Sequence, residues 1–391
     1  MRRCLSIVLN TFTNDSRVLR ESETLAKNGF KVTVFALHED KLSLKEEHAF
    51  LSLRRSKLRT RGWSKRKPVQ LIKYVECVVR MVAAGVRVWP TVVHANDWDA
   101  LPIGYLIARL TGAKLIYDAH ELWRDPGVRG DVPAVPLDLG VRLEGWLARR
   151  ADGVMTVSES IAADMAEKMR IVKPQVVRNL PLAKQSAVLP GSDEERPLRR
   201  ELGLSDRVPI VLYQGGVSVR KGVEILLEAF RWVNPPTVLV YLGYGPQVSS
   251  LKQRAKELEI TDRVFFHPAV PPNVLLNYTA DATVGVIPTK GGSLNYQYCL
   301  PNKLFESLQA GLPVVVSDLP EMAAVLKRYG VGEVFPDGDA ESLARTLNTV
   351  LGEPERLKLY TEAANLAAQE LNWEREESKF LEVYKDALLS T

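Results

Sequence analysis

Strand and helix signals alternate from one end of the chain to the other, and that alternation restricts the fold to an α/β class with parallel sheets. LSIVLN at 5–10 reads as a first strand, RVLRESETLAKNGF at 17–30 as an amphipathic helix closed by Gly29, and KVTVFAL at 31–37 as a second strand. TVVHAND (91–97), KLIYDAH (114–120) and GVMTVSE (153–159) repeat the pattern, each an apolar strand running into polar residues at its carboxyl end. Ligands of open α/β sheets bind at those ends. A second series begins at PIVLYQGG (209–216) and continues through TVLVYLGYG (237–245), RVFFHPAV (263–270), ATVGVIP (282–288) and PVVVSD (313–318).

With 391 residues, 46% of them hydrophobic, the chain exceeds what one core normally supports. Two Rossmann-like domains are expected, over 1–182 and 209–370. Between them, residues 183–208 carry Pro190, Gly191, Pro197 and a mixed-charge run, as a linker or peripheral segment would. Residues 371–391 read as a terminal helix, with Trp373, Phe380, Leu381 and Tyr384 at helical spacing. YLGYGP at 241–246 holds GxG without a third glycine, which disfavours a nicotinamide dehydrogenase.

Cys4, Cys77 and Cys299 are odd in number and widely spaced, favouring a reducing compartment over disulfides or a zinc site. Five histidines show no zinc pattern. The DxD-like pairs Asp97/Asp99 and Asp337/Asp339 lack a surrounding site, so neither a metal nor a cofactor is expected. No signal peptide is visible at the amino terminus, and no apolar run reaches the ~18 residues of a membrane span. The expectation is a cytoplasmic protein, soluble or peripheral on the cytoplasmic membrane face.

The net charge of +5 is unevenly distributed. No acidic residue stands between His48 and Glu76, while Arg54, Arg55, Lys57, Arg59, Arg61, Lys65, Arg66 and Lys67 crowd around Trp63. Followed by LIKYVECVVRMVAAGVRVW, this stretch, residues 54–89, suits adsorption to an anionic membrane surface. A solvated basic loop fits the same residues. Nucleic acid is not expected, because no aromatic platform or binding motif accompanies the charge.

Residues 293–318, SLNYQYCLPNKLFESLQAGLPVVVSD, join a polar loop, a Pro-started helix and a Gly-Leu-Pro turn into a buried strand. Pro301 fits the first turn of that helix, whose N–H groups and dipole attract phosphate. Glu306, about one turn further in, suits hydrogen bonds from ribose hydroxyls. YQGGVSVRKGVEILLEAF, at 213–230, is a strand, a Gly-rich turn and a helix. A diphosphate leaving group needs positive charge as its bond to carbon breaks, and Arg220 and Lys221 supply it beside the amides of Gly215 and Gly216.

These segments resemble the donor site of nucleotide-sugar glycosyltransferases of the GT-B fold, family 4 in particular, and the similarity covers nearly the whole chain. The resemblance implies two Rossmann-like domains facing a central cleft, with a terminal helix crossing back onto the first domain. It also implies retaining, metal-independent transfer from a nucleoside-diphosphate sugar. Donor contacts fall on Asn295, Asn302, Lys303, Leu304 and Glu306, with Val270 near the base. His120, in YDAHELWRD, matches a histidine that contacts the donor sugar, so His120, Arg220 and Lys221 are the expected catalytic set. Asp118 and Glu121 either orient His120, bind acceptor hydroxyls or cap the next helix. Asn14 and Arg17 are acceptor-side candidates, although N-capping by Asp15 or Ser16 explains their segment equally well. Asn96 and Asp97 are further candidates on that side, with helix capping as the alternative.

Two departures from the family pattern stand out. Tyr298 occupies the place eight positions before Glu306 where the family carries another glutamate, and Gly216 occupies that of a strand-end arginine. Arg220 is the expected substitute for the missing guanidinium. The expected partners are a nucleotide sugar and a glycan or lipid-linked acceptor. A nucleotide-sugar 2-epimerase and a catalytically silent nucleotide-sugar-binding or scaffold subunit are the rival functions. The first would convert donor alone; the second would release no nucleoside diphosphate.

Overall fold

A computed structural model of the chain describes residues 1–13, 15–64, 66–125, 137–183 and 196–389. It divides into two compact units, Met1–Asn179 with Glu376–Thr391, and Leu180–Arg375. Asn14, Lys65 and residues 184–195 of the expected linker lie outside the described residues.

The first unit holds β1 (Arg2–Ile7), β2 (Phe30–Leu37), β3 (Lys45–Glu47), β4 (Leu51–Ser56), β5 (Val92–Asn96), β6 (Lys114–Ala119), β7 (Gly153–Thr156) and β8 (Gln175–Val176). They form one sheet in the order β3-β4-β2-β1-β5-β6-β7-β8, parallel throughout except for the β3–β4 pair. Every residue of β5 is buried, which is why it reads as a continuous run rather than an alternation. The chain runs outward from β1 through β2, then restarts on β1's other side with β5. That reversal makes the β1/β5 boundary a topological switch point, where ligands of such sheets bind.

β4 corrects the reading of the basic stretch. Its burial alternates, so that Leu51, Leu53 and Arg55 point inward. Arg55 donates to the carbonyl oxygens of Thr11 (2.9 Å) and Ser43 (2.8 Å) and pairs with Glu46, so it belongs to the interior and not to a basic surface. After this strand, the helix Lys67–Val88 buries Cys77 and Met81 but exposes Leu71, Ile72, Val75 and Val79. Among the described residues, no helix is long and apolar enough to cross a membrane.

The second unit holds β9 (Ile210–Gln214), β10 (Val238–Leu242), β11 (Val264–His267), β12 (Val284–Ile287), β13 (Val314–Ser317) and β14 (Gly332–Phe335). Its sheet runs β11-β10-β9-β12-β13-β14, all parallel, with the switch point between β9 and β12. Tyr213, Phe230, Leu239 and Phe335 anchor one core, while Leu304, Phe305, Leu308 and Val316 anchor another.

The second half of the expected linker is part of this unit. In the helix Pro197–Leu202, Leu198 is fully buried against Ile210 and Leu212, and Arg199 Nε lies 3.2 Å from Asp281. The mixed charge of 194–207 hid that apolar anchor. The last helix, Trp373–Leu389, begins in the second unit, and from Glu376 onward it counts with the first. There Phe380 and Tyr384 are buried, with the Tyr384 hydroxyl 2.6 Å from His94 Nδ1. Full burial of such a ring contributes about 1.5–3 kcal/mol.

Candidate active site

In the second unit the chain leaves β9 at Gln214 and turns through Gly215 and Gly216, both exposed. Gly243, at the end of β10, holds φ +150°, and a Cβ there would stand 2.1 Å from the Gly215 carbonyl oxygen. Only glycine lets the two strand ends lie this close. The turn Val219–Lys221 follows and ends on Gly222, at φ +70°, where a Cβ would stand 1.6 Å from the Pro288 carbonyl oxygen. Pro288 follows β12, so Arg220 and Lys221 are pinned at the β9/β12 switch point.

The helix Asn302–Gln309 comes to the same place. Pro301 is its extended N-cap rather than a member of its first turn, so the helix starts one residue later than the sequence suggested. From that first turn, Lys303 sets its Nζ 3.8 Å from the centroid of the Tyr213 ring. Its Cε and Nζ lie 3.7 Å from where a Gly215 Cβ would be. Burial, and then the Lys221 ammonium, drive Lys303 down to about 7 against the opposing pull of Glu306. Lys221 Nζ stands 5.3 Å from the Tyr296 ring centroid. Two ammonium groups that discourage each other's charge become easier to ionise when an anion binds beside them. Glu306 Oε2 accepts from Gln214 Nε2 at 2.7 Å, and Gln214 Oε1 accepts from the Thr279 hydroxyl at 2.8 Å, which fixes the carboxylate.

In the first unit, His120 follows β6 and is held between two carboxylates. Its Nε2 lies 2.9 Å from Asp118 Oδ2 and its Nδ1 3.3 Å from Asp97 Oδ2. Its backbone N–H also donates to Asp97 Oδ1 at 2.8 Å. Asp97 adopts φ +64°, a conformation that aspartate tolerates better than most residues. Burial opposes the imidazolium, but Asp97 and Asp118 outweigh it and hold His120 well above the usual histidine range. A carboxylate beside each ring nitrogen favours the doubly protonated ring, which suits hydrogen-bond donation rather than proton abstraction. At 20% side-chain exposure it stays within reach of a ligand.

Beneath His120 lies a closed ionic network. Asp118 is fully buried; burial alone would raise its pKa, yet Arg17 and His120 hold it well below the usual carboxylate range. Arg17 donates to Asp118 from Nε (2.8 Å) and Nη2 (2.9 Å), and to the Val177 carbonyl oxygen at 2.8 Å, and it pairs with Glu21 at 3.0 Å. Glu21, His94 and Asp118 bring ligand atoms within 4.8 Å of one another, as a metal ion would require. The Arg17 guanidinium, hydrogen-bonded to Asp118 and 3.0 Å from Glu21, supplies countercharge there, while burial still lifts the Glu21 carboxyl to about 7.

Arg17, Asp118 and Asn96 thus sit beneath the surface and cannot touch an acceptor. Asn96 Nδ2 donates to Ser6 Oγ (2.9 Å) and the Ile7 carbonyl oxygen (3.1 Å). Of the other acceptor-side candidates, Asp97 and Glu121 are accessible, and Asn14 lies outside the described residues. On the donor side, the Leu304 side chain is fully buried in the core, which leaves only its backbone for a ligand. Asn295 is buried, Asn302 is exposed, and Val270 packs beside Leu198 and Ile210.

Residues 15–183 match the family described as "Glycosyl transferase 4-like domain", and residues 194–367 match "Glycosyl transferases group 1". The chain is a GT-B glycosyltransferase of the family 4 type. A D-inositol 3-phosphate glycosyltransferase of Acidothermus cellulolyticus is 26% identical over 341 residues, covering 82% of this chain and 72% of that one. The structure of a sucrose-phosphate synthase from Thermosynechococcus elongatus superposes with a TM-score of 0.82 at 19% identity, over 100% of both chains. Anabaena HepE in complex with UDP-glucose gives 0.76 at 18%, covering 98% of this chain and 100% of that one. Both structures share the transferase's fold of two Rossmann-like domains.

In this transferase the place beside the glycine pair is filled by Lys303, which was expected only as a donor contact. Gln214, Thr279 and Tyr213 also went unassigned. A polar Gln closing the apolar strand IVLYQ was the one available signal for the Gln214–Glu306 tether.

Proposed function

We propose that the enzyme transfers a sugar from a nucleoside-diphosphate sugar, held by the second unit, to a hydroxyl of a lipid-linked or polysaccharide-precursor acceptor, held by the first. The configuration at the anomeric carbon is retained and no metal assists. The observation that carries this function is the packing of Lys303 on Gly215 beside Lys221, at a switch point whose glycines admit a ligand's close approach. The anomeric carbon exchanges its bond to a diphosphate oxygen for one to the acceptor oxygen. Negative charge gathers on the departing diphosphate, where Lys221, Lys303 and Arg220 stabilise it. Glu306, fixed by Gln214, accepts from the ribose. The His120 imidazolium donates to the donor sugar and leaves proton abstraction to another group. HepE's complex with UDP-glucose supports the donor class, and the D-inositol 3-phosphate glycosyltransferases support a hydroxyl acceptor.

The exposed Arg54, Arg59, Arg61 and Arg66, with Trp63 and the apolar face of the helix Lys67–Val88, support peripheral attachment to an anionic cytoplasmic bilayer. Each such cation contributes about 1 kcal/mol near the surface. The deciding experiment is a thermal-shift panel of uridine, guanosine, thymidine and adenosine diphosphates and their sugars. A ligand at 100 times its Kd stabilises the folded state by about 2.7 kcal/mol. One nucleoside diphosphate, which carries the leaving group's full charge, should raise the melting point of the native enzyme more than that of Lys221→Ala. A flat panel, or a shift that Lys221→Ala retains in full, refutes the donor site.

A further inference from the structure

The first unit contains an apolar pocket of about 570 Å³, within the ~300–1,000 Å³ range of small-molecule sites. Leu9, Leu37, Tyr74, Cys77, Trp98 and Trp123 line it. Leu9 lies just past the end of β1, Leu37 closes β2, Trp98 follows β5 and Trp123 follows β6. The pocket therefore opens at the carboxyl edge of the sheet, at the β1/β5 switch point where a ligand is expected. Trp98 packs on Trp123 with ring centroids 4.5 Å apart. Asp97, the neighbour of Trp98 in the chain, is the residue that holds His120, so the pocket adjoins the accessible end of the candidate site.

The rim differs from the interior. Arg61, Lys73, Leu71 and Leu143 also line the pocket, and the two leucines are 50% and 39% exposed. The basic segment above it is built onto the helix Lys67–Val88 rather than solvated as a free loop. Glu76 accepts from the backbone N–H groups of Arg59 (2.8 Å) and Thr60 (2.9 Å). Lys73 Nζ donates to the carbonyl oxygens of Arg61 (3.1 Å) and Trp63 (2.9 Å). This anchoring holds Arg61, exposed and 3.6 Å from Glu39, in the lining of the apolar opening together with Lys73. Asp99 is the acidic residue of the lining, and burial, with Asp97 next, pushes its carboxyl up to about 7, so its fixed charge is weak.

We infer that this pocket binds the hydrocarbon tail of the acceptor lipid, with the lipid's phosphate drawn to Arg61 and Lys73 at its rim. An apolar chamber with an arginine and a lysine in its lining matches an amphiphile with one hydrocarbon end and one anionic end. Neither a sugar nor a free phosphate uses both features. The inference rests on the lipid-linked acceptor proposed above and names the residues that select it.

Calorimetric titration of the full chain with dodecyl phosphate, below its micelle concentration, provides the test. Saturable binding of one molecule is expected, with a negative heat-capacity change and no signal from inorganic phosphate. Leu71→Asp and Leu143→Asp, both at exposed positions that tolerate the change, should each weaken binding at least tenfold. Val79→Asp, on the same helix, 62% exposed and outside the lining, should stay within twofold. Non-saturable uptake, or equal losses in Val79→Asp and Leu71→Asp, would mean adsorption to the helix face and would overturn the pocket. Nucleoside-diphosphate thermal shifts on the same samples separate the two proposals. A retained nucleotide shift without dodecyl phosphate binding defeats the tail site alone. Dodecyl phosphate binding without any nucleotide shift defeats the donor site alone.

Discussion

Lys303 rests on Tyr213, its Nζ 3.8 Å from the ring centroid, while the same ammonium is held at about 7 by burial and by Lys221. An incoming diphosphate supplies the opposite charge and raises that pKa, so above pH 7 nucleotide binding draws a proton from solution. At pH 8, titrations in buffers of different ionisation heat should report an uptake approaching one proton per nucleotide. Affinity should weaken towards tenfold per pH unit above 7 until the pKa of the bound state is reached. In Lys303→Met both effects should vanish. Proton uptake persisting in that variant would assign the titration to another group.

In the proposed reaction Lys221 and Glu306 act at different stages. Charge on the leaving diphosphate grows in the transition state, so Lys221→Ala should lower kcat by roughly 10²–10³-fold, the usual scale for one lost electrostatic donor. Glu306→Ala removes the partner of buried Gln214 and, with it, the proposed ribose contact. Leaving a buried amide unsatisfied costs about 1–3 kcal/mol. The expected result is a KM rise of about tenfold with a smaller fall in kcat, partly restored in Glu306→Gln. Steady-state kinetics with varied donor check both, and a Lys221→Ala enzyme altered only in KM would remove that residue from leaving-group stabilisation.

His120 is bracketed by Asp97 and Asp118, and its charge depends on both. Its pKa lies above the unfolded value, so its stabilising contribution is complete below about 6.5 and declines as pH rises through the raised folded value. Activity that needs the imidazolium should therefore hold through pH 7 and fail on the alkaline side. Asp97→Asn should lower the His120 pKa and move the alkaline limb down with it. NMR titration of the His120 ring in both proteins follows the shift directly. An unmoved ring pKa would mean that Asp97 does not set the charge.

The alternation of apolar strands and amphipathic helices made most of both sheets legible, because a parallel strand buried on two faces is written as an uninterrupted run. GEVF, at β14, and KEE, at β3, were not legible: a glycine start and a charged triplet carry no strand signal, and each gains its place from a neighbouring strand. The turn at 215–222 was readable from glycines and cations close together in sequence. Arg17 and Asp118 were not, since they meet across 101 residues and nothing in either local segment announces the pairing. Leu198 and Arg55 were hidden by charged neighbours whose side chains point elsewhere. The role of Lys303 depended on a distance to Gly215 that only the folded chain defines.

Arg17 separates support from contact most sharply. Its guanidinium is the buried countercharge for Asp118 and Glu21, so Arg17→Met leaves two carboxylates without it, a loss of about 3–5 kcal/mol. At about 2–4 °C per kcal/mol for a unit of this size, the melting point should fall by roughly 10 °C. In the native protein the Asp118 carboxyl sits below its unfolded value. Its contribution is therefore present above about pH 4 and is lost only as pH falls through the depressed folded value. Glu21, which burial already lifts to about 7 in the native protein, gains stability as pH falls from 7 to 5, and in Arg17→Met that gain should grow as the orphaned Asp118 takes up a proton as well. Adding Asp118→Asn should restore part of the loss, since an amide needs no countercharge. Melting curves of the two single variants and the double variant across that pH range test the network. An Arg17→Met protein with native stability but impaired transfer would return Arg17 to the acceptor.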